Sequence, residues 1–296
     1  MPKILSGKNL SQKLFIELAD KTKSLKQQGI NPCLVVILVG DDPASQVYVN
    51  KKGQSCEKIG ITSKKVLLPA TVEERKLLQL IEDLNQDQSV HGILCQLPLP
   101  KGIDENKILR AISPQKDVDC FHPYNFGLLA QSSPKFLPCT PHGVLQLLKQ
   151  NGYTTKGKKV AIVGRSNIVG RPLSLLLSSR PWDATVTLLH SGSKNLETEC
   201  LSADIIIVAI GKAKWLKENF VKNGAIVIDV GINAALDPNT QKRKLVGDVD
   251  FEAIQNKVEA ITPVPGGVGP MTITMLLYNT IQAACQQNSL PEFNLQ

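Results

Sequence analysis

Apolar residues in this chain form short continuous runs, and these runs alternate with longer stretches in which apolar residues recur every three or four positions. Continuous apolar runs are typical of parallel strands that are covered on both faces. The pattern predicts strands at 33–39, 64–68, 92–97, 159–163, 185–189, 204–209 and 225–230. The helical stretches between them indicate an α/β fold.

The predicted helices have recognisable ends. Gly29 and Pro32 end the first helix, and Thr71 with Glu74 has the spacing of a capping box for the third. The predicted helices span about 7–29, 44–59, the segment after Thr71, 142–151 and 270–287. Between residues 113 and 141 the periodicity is lost and prolines are frequent, which indicates a functional or interdomain segment.

Residues 262–272 read Thr-Pro-Val-Pro-Gly-Gly-Val-Gly-Pro-Met-Thr and carry no charged side chain. Proline fixes φ and lacks a donor, whereas glycine tolerates positive φ and lets other groups approach the backbone. An apolar helical pattern follows, so the backbone amides here lie near a helix N-terminus. We expect a stiff loop that presents its backbone to a ligand. A purely structural turn is the simpler alternative, although an ordinary turn needs fewer such residues.

Composition narrows the class of protein. The chain has 296 residues, of which 42% are hydrophobic and 20% charged, and this suits two soluble domains. The N-terminus turns polar before a signal-peptide core forms, and the longest apolar runs are too short to cross a membrane. Seven cysteines without a Cys-x-x-Cys pair indicate reduced thiols, and the four histidines lack metal-ligand spacing. We expect a cytoplasmic protein with no membrane segment, disulfide framework or metal site.

The net charge of +8 is compatible with a nucleic-acid partner or with a small anionic substrate. The lysines are scattered, and aromatic residues make up only 4% of the chain, which is too few for base stacking. A phosphorylated or carboxylate-bearing small molecule therefore explains the charge better than nucleic acid does. A basic surface without a ligand explains it equally simply.

Residues 160–172 follow the order of strand, glycine turn and helix start that a pyrophosphate site at a helix N-terminus requires. Gly164 and Gly170 are present, but Ser166 stands where the G-x-G-x-x-G pattern has glycine. This segment predicts a dinucleotide site, and the later strands fit the same fold.

The choice of cofactor follows from the end of the next strand. An NAD site usually has an acidic residue there, whereas residues 189–194 read Leu-His-Ser-Gly-Ser-Lys. Arg165, with Ser191 and Lys194, could instead hold a 2′-phosphate, so the predicted cofactor is NADP. The alternative is that these polar residues only solvate a loop.

A second group of polar residues suggests acid–base chemistry. Tyr48 and Lys52 are four residues apart on the predicted helix 44–59 and so share one face. Gln96 lies at the carboxyl end of a buried strand, where α/β sheets place ligands, and Asp119 lies in the irregular segment. A partly desolvated lysine can lose its proton near neutral pH. On spacing alone, a tyrosine–lysine pair on a wet surface is the simpler interpretation.

Several motifs that occur in order carry a family resemblance. They are YVNKK at 48–52, QLPLP at 96–100, KDVD at 116–119, PCTP at 138–141, GRS at 164–166 with Gly170, DVGIN at 229–233 and the loop 262–272. With them the chain resembles the bifunctional methylenetetrahydrofolate dehydrogenase/cyclohydrolase family over roughly residues 3–286. The resemblance implies an enzyme that oxidises 5,10-methylenetetrahydrofolate to 5,10-methenyltetrahydrofolate with NADP⁺ and then hydrolyses the product to 10-formyltetrahydrofolate.

The resemblance also implies roles for individual residues. Lys52 would be the catalytic lysine, Tyr48 would pack on the aminobenzoyl ring, Gln96 would position Lys52, and Asp119 would bind the amino edge of the pterin. The implied folate-binding residues are Tyr48, Val49, Asn50, Lys51, Lys52, Cys95, Gln96, Leu97, Asp119, Pro265, Gly266, Gly267, Val268 and Gly269. The implied NADP-binding residues are Gly164, Arg165, Ser166, Gly170, Ser191 and Ile232.

We expect two α/β domains with a cleft between them, the second a Rossmann-like dinucleotide-binding domain. The folate-binding catalytic domain would span 1–140, completed by the C-terminal helix 271–296, and the NADP-binding domain would span 141–270. The loop 262–272 would form a wall of the folate cleft. The resemblance further implies a homodimer.

Two residues depart from the expected family pattern. Cys120 follows Asp119 where we expect glycine, which costs about 1 kcal/mol if the position needs positive φ. Cys95 replaces a branched aliphatic residue, which is an ordinary exchange in a core. Two alternatives stay open: a folate dehydrogenase that has lost the cyclohydrolase step, and a non-catalytic protein that senses NADP.

Overall fold

The computed structural model describes residues 1–236 and 243–295 and divides into two compact units. The six-stranded unit comprises Met1–Ser11, Leu129–Ser133 and Thr140–Thr272. The three-stranded unit comprises Gln12–Leu128, Pro134–Cys139 and Ile273–Gln296. The domain boundaries expected from the sequence stay a prediction.

Helices and strands alternate along the chain. The strands are β1 (Lys3–Ile4), β2 (Cys33–Val39), β3 (Thr62–Leu68), β4 (Gly92–Cys95), β5 (Lys159–Val163), β6 (Thr185–Leu189), β7 (Ile205–Val208), β8 (Ile226–Asp229), β9 (Asn233–Leu236), β10 (Arg243–Val246) and β11 (Ala260–Ile261). The helices are α1 (Gly7–Gln27), α2 (Pro43–Ile59), α3 (Glu74–Gln86), α4 (Glu105–Ala111), α5 (Pro123–Ala130), α6 (Cys139–Gln150), α7 (Gly170–Ser178), α8 (Leu196–Ser202), α9 (Phe251–Ile254) and α10 (Val268–Gln287). None of these helices is both long and apolar enough to span a bilayer.

The smaller sheet has the order β3-β2-β4, and both pairings are parallel. Its central strand β2 is buried at every position, as its unbroken apolar sequence predicts. One core cluster packs β2 and β4 against α3 and α4, through residues such as Val35, Leu77 and Ile108. The carboxyl ends of β2 and β4 therefore lie at one edge of a rigid layer.

The larger sheet has the order β1-β11-β8-β7-β5-β6, with parallel pairing throughout. Strand β6 lies on one side of β5 and β7 on the other, so the strand order reverses at β5. In open α/β sheets such a switch point opens the crevice that binds ligands. Strands β9 and β10 form a separate antiparallel pair. The prediction of an α/β fold with parallel sheets is confirmed.

Three local expectations need correction. Helix α3 is preceded by Glu73, which makes no side-chain cap, so the capping box assigned to Thr71 is wrong. Thr71 instead lies in a turn closed by the bond from the Val72 amide to the Pro69 carbonyl, at 3.0 Å. Helix α5 lies inside the segment expected to be irregular, and α10 begins at Val268, so the glycine–proline loop ends at Gly267.

Lys116 fixes the end of α3 from a distance of some thirty residues. Its Nζ donates to the carbonyl oxygens of Leu84, at 2.9 Å, and Asp87, at 2.7 Å. These are carbonyls of the last turn and C-cap, which have no partner within the helix. The side chain is buried, and burial lowers the pKa of Lys116, while the charge of Asp87 opposes that shift.

We predict that Lys116→Met lowers the free energy of unfolding by about 1.5–3 kcal/mol, because two half-buried carbonyls lose a charged donor and a buried side chain is replaced. Denaturant unfolding measures the change. Lys76→Met is the matched control, since the Lys76 side chain is 70% exposed and its ion pair is with the equally exposed Glu73. The control is expected to stay within about 0.5 kcal/mol of the parent. Equal effects from both substitutions would contradict this role for Lys116.

Candidate active site

Helix α2 carries a lysine on its buried face. Asp42 caps the helix by accepting a hydrogen bond from the Ser45 amide at 2.8 Å, and Gly60 ends it in the left-handed conformation. The buried positions are Ser45, Val49, Lys52, Cys56 and Ile59. This spacing is the apolar stripe of an amphipathic helix, with Lys52 at one of its positions.

Lys52 is held by an uncharged partner. Its Nζ donates to Oε1 of Gln96 at 3.0 Å, and Nε2 of Gln96 donates to the Leu97 carbonyl at 2.7 Å. The second bond fixes the amide with its oxygen toward the lysine. Gln96 follows β4 directly, and its backbone amide bonds to the Ile37 carbonyl of β2. The glutamine therefore stands on the rigid carboxyl edge of the smaller sheet.

Burial lowers the pKa of Lys52, which is only 4% exposed. The charge of Asp119 opposes this shift, followed by weaker effects of Cys139 and Cys56. The Tyr48 ring lies with its centroid 4.8 Å from Nζ, a cation–π distance. The neutral amine is therefore reached at lower pH than in an exposed lysine, which makes Lys52 suited to carry a proton.

Two buried residues that the sequence did not assign to the site shape the segment before Asp119. Lys116 anchors it to α3. Asp117 accepts hydrogen bonds from the amides of Phe121, at 3.1 Å, and His122, at 2.8 Å, and from Nδ2 of Asn125 at 2.8 Å. Burial raises the pKa of Asp117, and these donors oppose the rise. The half-exposed Asp119 thus projects from a backbone that is fixed on both sides.

Cys120 adopts φ of +63°, in the left-handed region that favours glycine. The condition under which cysteine is costly at this position is therefore met. The side chain is buried, and its Sγ contacts the Phe136 carbonyl at 3.3 Å. This contact offsets part of the backbone strain.

Cys139 and Asn279 complete the surroundings of Asp119. Burial raises the pKa of the Cys139 thiol well above its usual value, and the charge of Asp119 and a hydrogen bond with it add to the rise. Nδ2 of Asn279 donates to the carbonyls of Val118, at 2.7 Å, and Leu137, at 2.9 Å. Asn279 is almost fully buried in α10. An amide within the apolar helical pattern of α10 was the signal that could have found it.

The other implied folate residues of this unit differ in exposure. Val49 and Cys95 are buried in the core, and Leu97 is half-buried. Asn50 and Lys51 are exposed, and Oδ1 of Asn50 accepts a hydrogen bond from Lys65 at 2.9 Å. The structure thus groups Tyr48, Lys52 and Gln96 closely, while Asn50 and Lys51 point away from the buried face of α2.

The glycine–proline loop belongs to the six-stranded unit. Gly266 has φ of +106°, and its carbonyl accepts a hydrogen bond from the Lys8 amide at 2.9 Å. A Cβ on Gly7 would overlap the Gly267 carbonyl, so the two backbones are in contact. Pro265 is exposed, while Val268 is buried at the start of α10. The loop is therefore packed from behind and presents backbone and proline on its open side.

The backbone of the segment after β5 packs directly against neighbouring backbone carbonyls. Gly164 has φ of +121°, and a Cβ there would overlap the Ala209 carbonyl that follows β7. A Cβ on Gly170, the first residue of α7, would overlap the Gly164 carbonyl. Oγ of Ser166 accepts a hydrogen bond from the Val169 amide at 3.1 Å. Both glycines are thus required by close approach in this turn.

Strand register brings two predicted cofactor residues to the same edge. Val163 of β5 pairs with Leu189 of β6, so Arg165 and Ser191 each follow the paired positions by two residues. Both are exposed. Ile232 is also unusually exposed for its type, at 55%, and a Cβ on Gly269 would touch it at 3.5 Å. An exposed apolar side chain at this edge is suited to pack against a flat ring.

Comparison with known proteins identifies the family. The model of the tetrahydrofolate dehydrogenase/cyclohydrolase catalytic domain matches residues 5–119, and the model of the NAD(P)-binding domain of the same family matches residues 138–288. The chain belongs to this family. Its fold, its two enzymatic activities and its NADP cofactor, all predicted from the sequence, are thereby confirmed.

Individual members of this family are similar to the chain over nearly its whole length. A bifunctional protein FolD of Ruminiclostridium cellulolyticum is 53% identical over 97% of this chain and 99% of its own length. The crystal structure of the bifunctional FolD enzyme of Campylobacter jejuni has a TM-score of 0.90 at 49% identity, covering 97% of this chain and 99% of that one. The Trypanosoma brucei enzyme, complexed with NADP cofactor and inhibitor, has a TM-score of 0.91 at 36% identity, with coverage of 97% and 99%.

We predict that Gly170→Ala raises the KM for NADP⁺ at least about tenfold, because the new methyl group displaces the Gly164 turn. Steady-state kinetics with varied NADP⁺ measure this. Gly127→Ala is the control, since a Cβ at this exposed helical position meets no atom within 4 Å. An unchanged KM in the Gly170 variant would show that the turn does not contact the cofactor.

Proposed function

We propose that Lys52 carries the proton in the hydrolysis of 5,10-methenyltetrahydrofolate, in an enzyme that first forms this compound by NADP-dependent oxidation of 5,10-methylenetetrahydrofolate. The observation that carries the proposal is the buried lysine bonded to a neutral amide at 3.0 Å. A carboxylate in place of Gln96 would stabilise the ammonium form and hold the proton on Lys52. The amide orients the amine without fixing its charge.

A neutral lysine suits the product of the first step. Loss of hydride from the methylene bridge leaves a resonance-stabilised cation, and an ammonium group beside it would be repelled. Because burial lowers the pKa of Lys52, the amine can share the site with this cation at lower cost. NADP⁺ supplies the hydride acceptor when bound. One site can therefore serve both reactions.

In the second step a water molecule adds to the one-carbon bridge. Lys52 takes a proton from that water as the new C–O bond forms, and returns a proton to the ring nitrogen as the C–N bond breaks. The products are 10-formyltetrahydrofolate and one proton. Gln96 acts as a positioning residue, because its contact is to Lys52.

We assign the remaining residues by their surroundings. Tyr48 packs on the aminobenzoyl ring, supported by its place beside Lys52. Asp119 binds the two adjacent N–H donors of the pterin edge, supported by its half-exposed carboxylate on a fixed backbone. Residues 265–269 line the folate with their backbone, supported by the packing of that loop.

The residues of the larger sheet fit NADP. Gly164 and Gly170 leave no room for a Cβ, as a backbone cradle for a pyrophosphate requires. Arg165 and Ser191 each lie two residues beyond the paired ends of β5 and β6. They supply a cation and a hydroxyl for the 2′-phosphate. Ile232 offers an apolar surface to the nicotinamide ring.

We also infer a homodimer, on the strength of the family resemblance. Light scattering coupled to size-exclusion chromatography measures the mass directly, against 32.2 kDa for one chain.

A cytoplasmic location is supported by the seven cysteines, all of which are described by the structure, free of disulfides and buried.

We predict that Lys52→Met lowers hydrolysis of methenyltetrahydrofolate at least about a hundredfold, because the proton carrier is lost while the buried volume stays filled. NADP⁺ affinity is expected to stay close to that of the parent chain. Absorbance of the methenyl compound and titration with NADP⁺ measure the two effects. Lys58→Met, at an exposed position of the same helix, serves as the control.

The parent chain is assayed with methylenetetrahydrofolate and either NADP⁺ or NAD⁺. Faster reduction of NADP⁺, followed by disappearance of the methenyl absorbance, supports the full assignment. Methenyltetrahydrofolate that accumulates would indicate a dehydrogenase without the second activity. Binding of NADP⁺ without turnover would indicate a sensor, and unchanged hydrolysis in Lys52→Met would remove Lys52 from the mechanism.

A further inference from the structure

Two buried carboxylates lie at the carboxyl edge of the larger sheet, and the reaction described above uses neither. Asp229 is the last residue of β8 and is 3% exposed, while Asp248 follows β10 and is fully buried. Buried acids are rare unless their oxygens are satisfied by several donors. Their partners therefore indicate what they do.

The Asp248 carboxylate accepts hydrogen bonds from the backbone of the loop that follows β7. Its Oδ2 accepts hydrogen bonds from the amides of Ile210, at 2.7 Å, and Gly211, at 2.9 Å. Its Oδ1 accepts from the Lys212 amide at 2.8 Å and from Nδ2 of Asn233 at 2.9 Å. Three consecutive amides thus converge on one carboxylate, and charge-assisted bonds of this kind are stronger than neutral ones.

Asp229 holds Asp248 in turn. Its Oδ1 accepts hydrogen bonds from the amides of Asp248 and Gly231, each at 2.9 Å, and its Oδ2 accepts from the Val249 amide at 2.9 Å. The backbone amide of Asp229 donates to Oγ1 of Thr262 at 2.7 Å. Burial raises the pKa of Asp229 to about 6, and the three amides oppose that rise.

Each carboxylate occupies the space that a side chain would need at a glycine of the other segment. A Cβ on Gly231 would overlap the carboxylate of Asp248, and a Cβ on Gly247 would overlap that of Asp229. The sequences Asp229-Val230-Gly231 and Gly247-Asp248 therefore interlock, and each supplies the gap that the other fills. This reciprocal packing explains both glycines without any positive φ at either position.

The loop fixed by Asp248 borders the crevice at the switch point. Residues 210–212 follow β7, which neighbours β5, and a Cβ on Gly164 would overlap the carbonyl of the preceding Ala209. Gly211 itself has φ of +64° and is exposed. Ligands of open α/β sheets bind in this crevice. The position of the loop thus sets the shape of one wall of the dinucleotide site.

We propose that Asp248 is a positioning residue for NADP binding: it fixes the backbone of residues 210–212, and Asp229 fixes Asp248. Asparagine cannot replace it, because one of its two terminal atoms is a donor and would face an N–H group. Loss of the carboxylate then frees the loop while leaving the residues around Lys52 intact. The proposal rests on NADP binding at this sheet.

The test is Asp248→Asn in the full chain. We expect the Kd for NADP⁺, measured by titration without folate, to rise at least about tenfold. We expect the KM for NADP⁺ to rise with it, while the KM for methylenetetrahydrofolate and the rate of methenyltetrahydrofolate hydrolysis stay near their parent values. Hydrolysis consumes no NADP, so it reports on the folate site independently of NADP binding. Asp250→Asn is the control, since the Asp250 side chain forms a long, 3.7 Å ion pair with the exposed Lys214 and does not cap α9.

An unchanged Kd for NADP⁺ in Asp248→Asn would overturn the proposal, and so would a parallel loss of hydrolysis and NADP binding, which would indicate a general structural role. If the variant does not fold, Gly231→Ala repeats the test with the carboxylate retained, because its methyl group pushes on Asp248. Unchanged NADP⁺ affinity in that variant again contradicts the proposal. Absence of NADP⁺ binding by the parent chain would instead refute the cofactor assignment itself.

Discussion

Burying the Lys52 ammonium group next to the uncharged Gln96 side chain is energetically unfavourable, yet the three-stranded unit holds the lysine there. The helix that carries Lys52 is capped at both ends, and its buried face has no other charged residue. Gln96 is fixed by the sheet edge and by its own bond to Leu97. The lysine therefore cannot easily turn to solvent, and its proton is held less tightly than in water.

Within the same unit, the charge of Asp119 limits how far burial lowers the pKa of Lys52. The charge of Asp119 acts on Lys52 through space, and Asp117, Cys120 and Asn279 fix the backbone around Asp119. The left-handed conformation of Cys120 shows that this backbone is held against a local preference. Such strain is tolerated where the surrounding hydrogen bonds determine the conformation, as they do around Asp119.

In the six-stranded unit the constraint is close backbone approach. Gly164, Gly170, Gly231 and Gly247 each stand where a Cβ would overlap a carbonyl or a carboxylate. Because glycine has no side chain, the loops at the carboxyl edge of the sheet can pack directly against one another. The edge is thereby firm enough to meet a flat ring and phosphates with little rearrangement.

Much of the fold was predictable because parallel strands leave a strong signal: β2, β5 and β6 were predicted with the bounds that the structure shows. Helix α5 was missed because Pro123 and Gly127 resemble loop residues, although proline is well suited to the first turn of a helix. The predictions for Gln96, from a strand end, and for Lys52, from its spacing to Tyr48 and the family resemblance, named two residues that the structure brings into contact.

Asp229 and Asp248 were not assigned, because no local pattern distinguishes a buried carboxylate from a solvated one. The groups that donate to their carboxylates lie between residues 210 and 249 and are brought together only by the complete sheet. Likewise, the sequence could not reveal that Lys116 caps a helix some thirty residues earlier. Contacts of this range depend on the assembled fold.

The most direct test of the account is the titration of Lys52 itself. Lysine labelled with ¹³C at Cε is incorporated, the Lys52 signal is assigned by its loss in Lys52→Met, and its shift is followed by NMR as pH is raised. We expect a midpoint below the ordinary lysine value of about 10.4. A midpoint at or above that value would show that the ammonium form is favoured in the site, and Lys52 could not then carry the proton as proposed.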